Sequence, residues 1–130
     1  MITEFLRLRA RSFRYALAGW WYVIRTQKNA WIHAVISLAV ILVALWLRLV
    51  AHDWAVLVLT IAMVWIAEFL NTALEAVVDL ASPELHPLAK VGKDVGAAAV
   101  LIAAIASVII GLLILGPPLL AAVKAMFHLS

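Results

Sequence analysis

The sequence predicts an all-α integral membrane protein in which an N-terminal amphipathic surface helix precedes three transmembrane helices. Hydrophobic residues make up 68% of the 130 residues and charged residues 13%, whereas a soluble domain is about half apolar and about a quarter charged. Three apolar segments, 31–51, 54–80 and 95–123, are long enough to span, since a bilayer-crossing helix needs about 20 residues. We therefore expect one membrane domain over residues 1–130.

Residues 1–29 are expected to form the surface helix and the turn that follows it. Five arginines alternate with large apolar residues over residues 3–25, and Trp20-Trp21-Tyr22 suits the lipid headgroup region. The arginines leave no uninterrupted apolar core, so the segment does not resemble a cleaved signal peptide. Simple membrane anchoring is one interpretation of its role.

The first two spans are expected to form a tight antiparallel pair. His33 and Ser37 are the polar residues near the start of the first span, and we expect His33 to lie at the membrane interface, donating to backbone or headgroups. Asp53 is a candidate N-cap for the second span. That span is about 40 Å long against a hydrocarbon core of about 30 Å, so its C-terminal turns should emerge into water.

A polar loop over residues 81–94 is expected between the second and third spans. Ser82 followed by Pro83 predicts the start of a short helical turn, and Asp94 is a candidate cap for the third span. Within the third span small residues recur every fourth position and favour close helix packing; these are Ala99, Ala103, Ser107 and Gly111. The run Gly116-Pro117-Pro118 should kink or end this helix.

The distribution of basic residues predicts the topology. Eight of the ten Lys and Arg residues lie in the N-terminal segment or the 81–94 loop. The positive-inside rule then puts both regions in the cytoplasm and the C-terminus outside. Because these cations flank lipid-embedded helices, we interpret them as headgroup contacts and expect no nucleic-acid partner. With no cysteine present, disulfides and thiolate metal sites are excluded.

Four polar residues share one face of the second span. Glu68, Asn71, Glu75 and Asp79 fall within an arc of roughly 80° at about 100° per residue. Ionisable residues at bilayer depth are costly and usually mark a site. The shallower Glu75 can hold a divalent cation, and the deeper Glu68 suits general-base chemistry on a hydroxyl. Alternatively, these residues only hold helices together by hydrogen bonds.

Lys93-Asp94 lies one loop away from this polar face. A lysine beside a helix N-terminus, with Gly92 and Gly96 allowing close backbone approach, suits a phosphate group. The segment is not a Walker motif, which needs a longer glycine-rich loop after a strand. A metal-binding carboxylate, a phosphate-binding lysine and a base are nevertheless the groups that phosphoryl transfer needs.

Two segments together resemble the prokaryotic diacylglycerol kinase and undecaprenol kinase family. Residues 68–79 follow the pattern Glu-x-x-Asn-(Thr/Ser)-Ala-x-Glu-x-x-x-Asp, and Lys93-Asp94 comes about 14 residues later, inside the segment 86–101. The likeness covers nearly the whole chain, including residues 13–19. It implies a homotrimer with active sites between subunits at the cytoplasmic face, and transfer of the γ-phosphate of ATP, with Mg²⁺, to a lipid alcohol.

The resemblance also implies roles for individual residues. Glu68 corresponds to the base and Asn71 to a neighbouring residue of the catalytic and substrate site, while Glu75 corresponds to a metal ligand. The implied ATP contacts are Tyr15, Glu75, Glu84, His86, Lys93 and Asp94. Gln27 stands where familiar members carry a second metal-binding glutamate, so it is a doubtful ligand and metal affinity should fall.

The sequence therefore predicts a multi-pass lipid kinase of the bacterial inner membrane. Diacylglycerol and undecaprenol both remain possible substrates, although His86-Pro-Leu-Ala-Lys90 is more similar to the undecaprenol kinases. The first alternative is a non-catalytic trimeric scaffold of the same fold, weakened at the metal site by Gln27. A proton-coupled transporter using Glu68 ranks lower, because it would leave Lys93-Asp94 without a role.

Overall fold

The protein is built from four α-helices, as seen in a computed structural model that describes residues 2–84 and 86–128. They are α1 (Ile2–Thr26), α2 (Lys28–Trp46), α3 (Ala51–Ala81) and α4 (Pro87–His128). By length and composition, α2, α3 and α4 can each cross a membrane. The predicted class, an N-terminal helix followed by three transmembrane helices, is confirmed.

Some arginines of helix α1 lie over aromatic rings of the same helix. The guanidinium carbons of Arg9 and Arg25 lie 5.0 and 4.9 Å from the ring centroids of Phe5 and Trp21. Nearly all of the side chains described in this helix are exposed, but Val23 is buried. The helix ends at Thr26, and the extended backbone of Gln27 turns the chain directly into α2. The expected turn is therefore a single residue.

The turn between α2 and α3 lies earlier than predicted. Helix α2 ends at Trp46 instead of residue 51, and Arg48 adopts a left-handed conformation with φ 53°. The Leu49 amide donates to the Ala44 carbonyl, which closes the turn. Since α3 already begins at Ala51, its N-cap is Val50 and Asp53 lies in its first turn. The prediction of Asp53 as the N-cap is wrong, because backbone hydrogen bonds close this turn first.

The predicted 81–94 loop is mostly helix. Ser82 is the C-cap of α3, its amide donating to the Val78 carbonyl, so the prediction that it starts a helical turn is wrong. Helix α4 begins at Pro87, where a fixed φ and the missing N–H suit the first helical position. Asp94 consequently lies inside α4 and does not cap the third span, which starts well before residue 95.

Helix α4 also runs further than predicted. It continues through Pro117 and Pro118 to His128, beyond the expected end at residue 123. Of the two predicted effects of Gly116-Pro117-Pro118, an end to the helix is wrong, and a kink stays a prediction. In an apolar helix a break would leave many backbone groups unpaired, whereas local adjustment around proline leaves few.

The main internal contact is between α3 and α4. Helix α3 buries one face that carries Leu57, Thr60, Val64, Glu68, Asn71 and Thr72. On α4 the buried residues are Gly96, Val100 and Ala103, while Ala99 is exposed. The stripe of small residues is thus only partly the packing face. The buried face of α3 is the one that carries the predicted site.

Candidate active site

The polar face of α3 runs from a buried to an exposed end. Glu68 is 1% exposed and Asn71 8% exposed, whereas Glu75 is half-buried and Asp79 exposed. The Thr72 hydroxyl donates to the Glu68 backbone carbonyl at 2.8 Å, one turn back on the same helix. The Glu68 carboxylate therefore receives no hydrogen bond from the neighbouring threonine. Glu68 is thus a buried acid at the buried end of this face, which we call the polar track (Glu68, Asn71, Glu75 and Asp79).

Glu75 is held by two amides at the centre of this track. The Gln27 amide nitrogen donates to one carboxylate oxygen at 3.1 Å, and the Asn71 amide nitrogen donates to the other at 3.3 Å. Gln27 lies at the junction of α1 and α2, 48 residues away in sequence. The hydrogen bond therefore attaches this junction to α3.

Gly96 allows Asn71 to lie against α4. A Cβ atom at position 96 would collide with the Asn71 side-chain oxygen and would lie 3.0 Å from Leu74 Cδ2. That oxygen is buried and has no hydrogen-bond partner in the described part of the chain. Gly96 therefore lies in contact with the site asparagine, and its expected role in close approach to a phosphate stays a prediction.

The two lysines near the start of α4 have different partners. Lys93 Nζ lies 2.5 Å from Asp79 Oδ1, so it reaches across to the exposed end of the α3 polar face. Lys90 Nζ lies 2.6 Å from Asp94 Oδ2, one turn along α4. Lys93 and Asp94, which are adjacent in sequence, thus have separate partners. Lys93 pairs with a carboxylate of α3, and Asp94 pairs with Lys90 on the exposed surface of α4.

The remaining predicted nucleotide contacts are all exposed. Glu84 and His86 lie in the connection before α4, where His86 Nδ1 accepts from the Leu88 amide at 3.2 Å. Tyr15 on α1 lies beside the Arg14 guanidinium, 5.9 Å from the ring centroid. Within residues 2–84 and 86–128, no hydrogen bond or ion pair joins these three side chains to Glu68, Glu75 or Lys93.

His33 is a polar residue beside Glu68, a contact that the sequence did not predict. Its Nε2 lies 3.7 Å from Glu68 Oε2, and the side chain is only 12% exposed. Nε2 is buried and has no hydrogen-bond partner among the described residues, so this nitrogen does not donate to the backbone; the expected interfacial depth of His33 stays a prediction. The available signal was a lone histidine in an apolar helix beside a span that carries a buried acid.

The residues fit a magnesium ion that arrives with phosphate, and not a preformed metal site. Among the described residues no three or more His, Cys, Asp or Glu side chains are arranged to hold a metal. Mg²⁺ commonly uses one or two carboxylates together with substrate phosphates and waters. Glu75, half-buried on the polar face of α3, could supply one such carboxylate.

An apolar groove lies on the side of α3 that faces α1. Its volume is about 620 Å³, and its walls include Trp20 of α1 and Trp54, Trp65 and Phe69 of α3. The Trp20 ring packs 4.9 Å from the rings of both Trp65 and Phe69, measured between centroids. Since Phe69 directly follows Glu68, this aromatic wall borders the helix segment that holds the buried acid.

Comparison with known proteins gives a consistent result. The family model for prokaryotic diacylglycerol kinase matches residues 14–115. A diacylglycerol kinase from Synechocystis is 54% identical over 84% of this chain, which spans 63% of that protein. An undecaprenol kinase from Bacillus subtilis is 41% identical over 84% of this chain and 89% of its own length.

A third relative extends the likeness to another bacterial group. The diacylglycerol kinase of Escherichia coli K12 is 40% identical over 63% of this chain and 73% of its own length. The match to the family model covers the α3 polar face, the α3–α4 connection and Lys93. The chain therefore belongs to the prokaryotic diacylglycerol kinase family of membrane lipid kinases.

Proposed function

We propose that this protein transfers the γ-phosphate of ATP to the hydroxyl of a membrane lipid, either diacylglycerol or undecaprenol. The observation that carries the proposal is the graded polar face of α3. It places a buried carboxylate (Glu68) on the same helix as a half-buried one (Glu75) and an exposed pair (Asp79 with Lys93). A hydroxyl from lipid and a phosphate from water can meet along such a track.

Glu68 is the proposed general base. It takes the proton of the lipid hydroxyl while that oxygen forms a bond to the γ-phosphorus and the bond to the β-phosphate oxygen breaks, releasing ADP. Asn71, one turn along α3, positions the substrate beside it. Such transfer depends on positioning and charge stabilisation more than on covalent chemistry.

The nucleotide is proposed to bind at the exposed end of the track. Lys93 offers an ammonium group to the phosphates, and Glu75 would hold Mg²⁺, which would neutralise phosphate charge. Tyr15, Glu84, His86 and Asp94 are exposed and are proposed as further nucleotide contacts. Gln27 is a weak metal ligand in this proposal because its amide nitrogen, not its oxygen, faces Glu75.

The apolar groove is proposed to receive the tail of the lipid substrate. Its aromatic wall between α1 and α3 is apolar and continuous with the segment that carries Glu68. The acyl chains of diacylglycerol and the prenyl chain of undecaprenol both suit such a wall. The relatives include enzymes named for each lipid, so both substrates belong in the assay.

We also propose a homotrimer in the bacterial inner membrane, with the N-terminus in the cytoplasm and the C-terminus outside. The positive-inside rule supports this orientation, because eight of the ten Lys and Arg residues lie before residue 29 or in the 81–94 segment. Exposed apolar residues along all three spanning helices support burial in lipid or against other subunits.

The test is transfer of labelled phosphate from ATP to diacylglycerol and to undecaprenol by the purified protein in lipid nanodiscs. We expect Glu68→Gln to lower kcat by about 100-fold or more, as expected for loss of a general base. ATP binding by this variant should persist. Ser12→Ala, an exposed change on α1 that removes only a local hydrogen bond, serves as the control for preparation.

One observation favours the alternative of a non-catalytic scaffold. Both Glu75 oxygens already accept amide hydrogen bonds, which can hold the site closed to a metal. Binding of ATP by the native protein without transfer to any lipid alcohol would support the scaffold and contradict the kinase proposal.

A further inference from the structure

We infer that His33 is a positioning residue that holds the Glu68 carboxylate in the orientation needed to accept the substrate proton. The inference rests on the proposed lipid kinase function and adds to it a residue from a second helix. His33 lies on α2, whereas all the proposed catalytic groups near it lie on α3.

The two side chains face each other in a buried space. His33 Nε2 and Glu68 Oε2 are 3.7 Å apart, and the side chains are 12% and 1% exposed. His33 Nε2 and both Glu68 oxygens are buried without a hydrogen-bond partner among the residues described. Buried polar atoms are nearly always paired, and one nitrogen and one carboxylate can satisfy each other.

The remaining gap is small. A nitrogen–oxygen hydrogen bond is about 2.7–3.2 Å long, so a modest side-chain rotation brings Nε2 within reach of Oε2. Catalytic hydrogen bonds are often long without substrate and shorten when substrate binds. The contact is therefore in the range expected for a site before it is occupied.

A neighbouring pair restricts the imidazole ring. The Trp65 indole nitrogen donates to the Ser37 hydroxyl at 3.3 Å, which joins α3 to α2 one turn beyond His33. The Trp65 ring then packs edge-on against His33, with 6.4 Å between centroids and 69° between planes. Trp65 lies about one turn before Glu68 on α3. The Trp65 ring therefore keeps the His33 ring on the side of α3 where the Glu68 carboxylate lies.

In this arrangement the two oxygens of the Glu68 carboxylate have different roles. With a hydrogen on Nε2, His33 donates to Oε2 and leaves Oε1 free to accept the proton of the lipid hydroxyl. Without this donor the carboxylate can rotate about its last side-chain bond, which has a broad preference. Small misplacement of a reacting group lowers the rate strongly.

Enzyme kinetics test whether His33 orients the Glu68 carboxylate. His33→Leu removes the donor while keeping an apolar side chain, and we expect kcat to fall by about 100-fold while KM for ATP stays within about twofold. His33→Gln keeps a donor and should recover activity to within about tenfold of the native protein. His52→Leu, an exposed histidine at the start of α3, is the matched control and should not change kcat.

Two kinetic outcomes would overturn the inference. One is a kcat for His33→Leu equal to that of the native protein. The other is equal loss in His33→Leu and His33→Gln while both remain folded by gel filtration in detergent. Either result would make His33 a packing residue.

Nitrogen NMR of the histidine rings tests the contact independently of turnover. We expect the His33 resonances to report a hydrogen on Nε2 and to shift in Glu68→Gln, while those of His52 stay unchanged. An unshifted His33 signal would refute the contact. A protein that shows the shift but transfers no phosphate would instead refute the proposed function, so the two failures are distinguishable.

Discussion

Glu75 shows how one residue connects separate parts of the chain. Its carboxylate accepts hydrogen bonds from Asn71 on its own helix and from Gln27 at the α1–α2 junction. A hydrogen bond to a charged group contributes about 1.5–3 kcal/mol. In this chain the Gln27 amide therefore stabilises the site in the absence of metal. A carboxylate at position 27 would instead repel Glu75.

Replacement of this amide tests the balance between stability and metal affinity. Gln27→Glu places two carboxylates together, so we expect a lower unfolding temperature without Mg²⁺. With Mg²⁺, the added ligand should lower the half-saturating concentration by about tenfold, equivalent to about 1.4 kcal/mol. Thermal unfolding in detergent with and without Mg²⁺ measures both effects.

The comparison variant is Gln27→Ala, which removes the hydrogen bond and adds no charge. It should lose stability under both conditions and should show no gain in magnesium affinity. Identical magnesium dependence in the native protein and Gln27→Glu would mean that position 27 does not face the ion.

At the scale of the helices, the contact between α3 and α4 determines where the site residues lie. Helix α3 is 31 residues long, so one continuous element carries both the buried Glu68 and the exposed Asp79. Helix α4 starts at Pro87 and brings Lys93 to Asp79 across the interface. That exposed ion pair contributes little to stability, and its main effect is to place a cation beside the carboxylates.

The close approach of these helices depends on Gly96. In Gly96→Ala the new methyl group would meet the Asn71 oxygen and Leu74, and overpacking of this kind costs about 1–3 kcal/mol. We expect a lower unfolding temperature and a lower kcat, because Asn71 must move. Thermal unfolding and phosphate transfer check the two effects.

Gly92→Ala provides the matched control on the same helix. Its new Cβ atom would lie 3.7 Å from Val78 Cγ2, an ordinary van der Waals distance. This variant should remain close to the native protein in both measurements. Equal destabilisation by the two variants would show that the contact with Asn71 is not responsible, because helix propensity by itself favours Ala over Gly.

At the scale of the whole molecule, the single chain leaves much apolar surface uncovered. Leu59 on α3 and Leu112 and Leu113 on α4 are each about two-thirds exposed or more. Side chains of this kind require lipid or another subunit around them. The polar track, by contrast, lies on α3, and Lys93 at its exposed end comes from α4 of the same chain.

The proposed trimer predicts the mass of the assembly. Each chain has a mass of 14.2 kDa, and native mass spectrometry of the protein released from detergent should give three times that value. Exposed leucines on α3 or α4 should become protected from probes in the assembled state. A monomer that retains full phosphate transfer would contradict the trimer proposal.

Much of the architecture could be predicted because the membrane constrains it. Apolar length determined the three spans, and the helical period determined that Glu68, Asn71, Glu75 and Asp79 share a face. The helix ends were less predictable. Pro87 rather than Asp94 starts α4, and Arg48 closes the α2–α3 turn, because local backbone hydrogen bonding decides where a helix ends.

The sequence by itself determined the class of the protein, the number of its spans and the polar face of α3, since each follows from local composition and periodicity. Only the tertiary structure decided that His33 faces Glu68, that Gln27 binds Glu75 and that Gly96 contacts Asn71. The physical reason is that a helix's own period does not determine its rotation relative to its neighbours. Side-chain packing between helices determines that rotation.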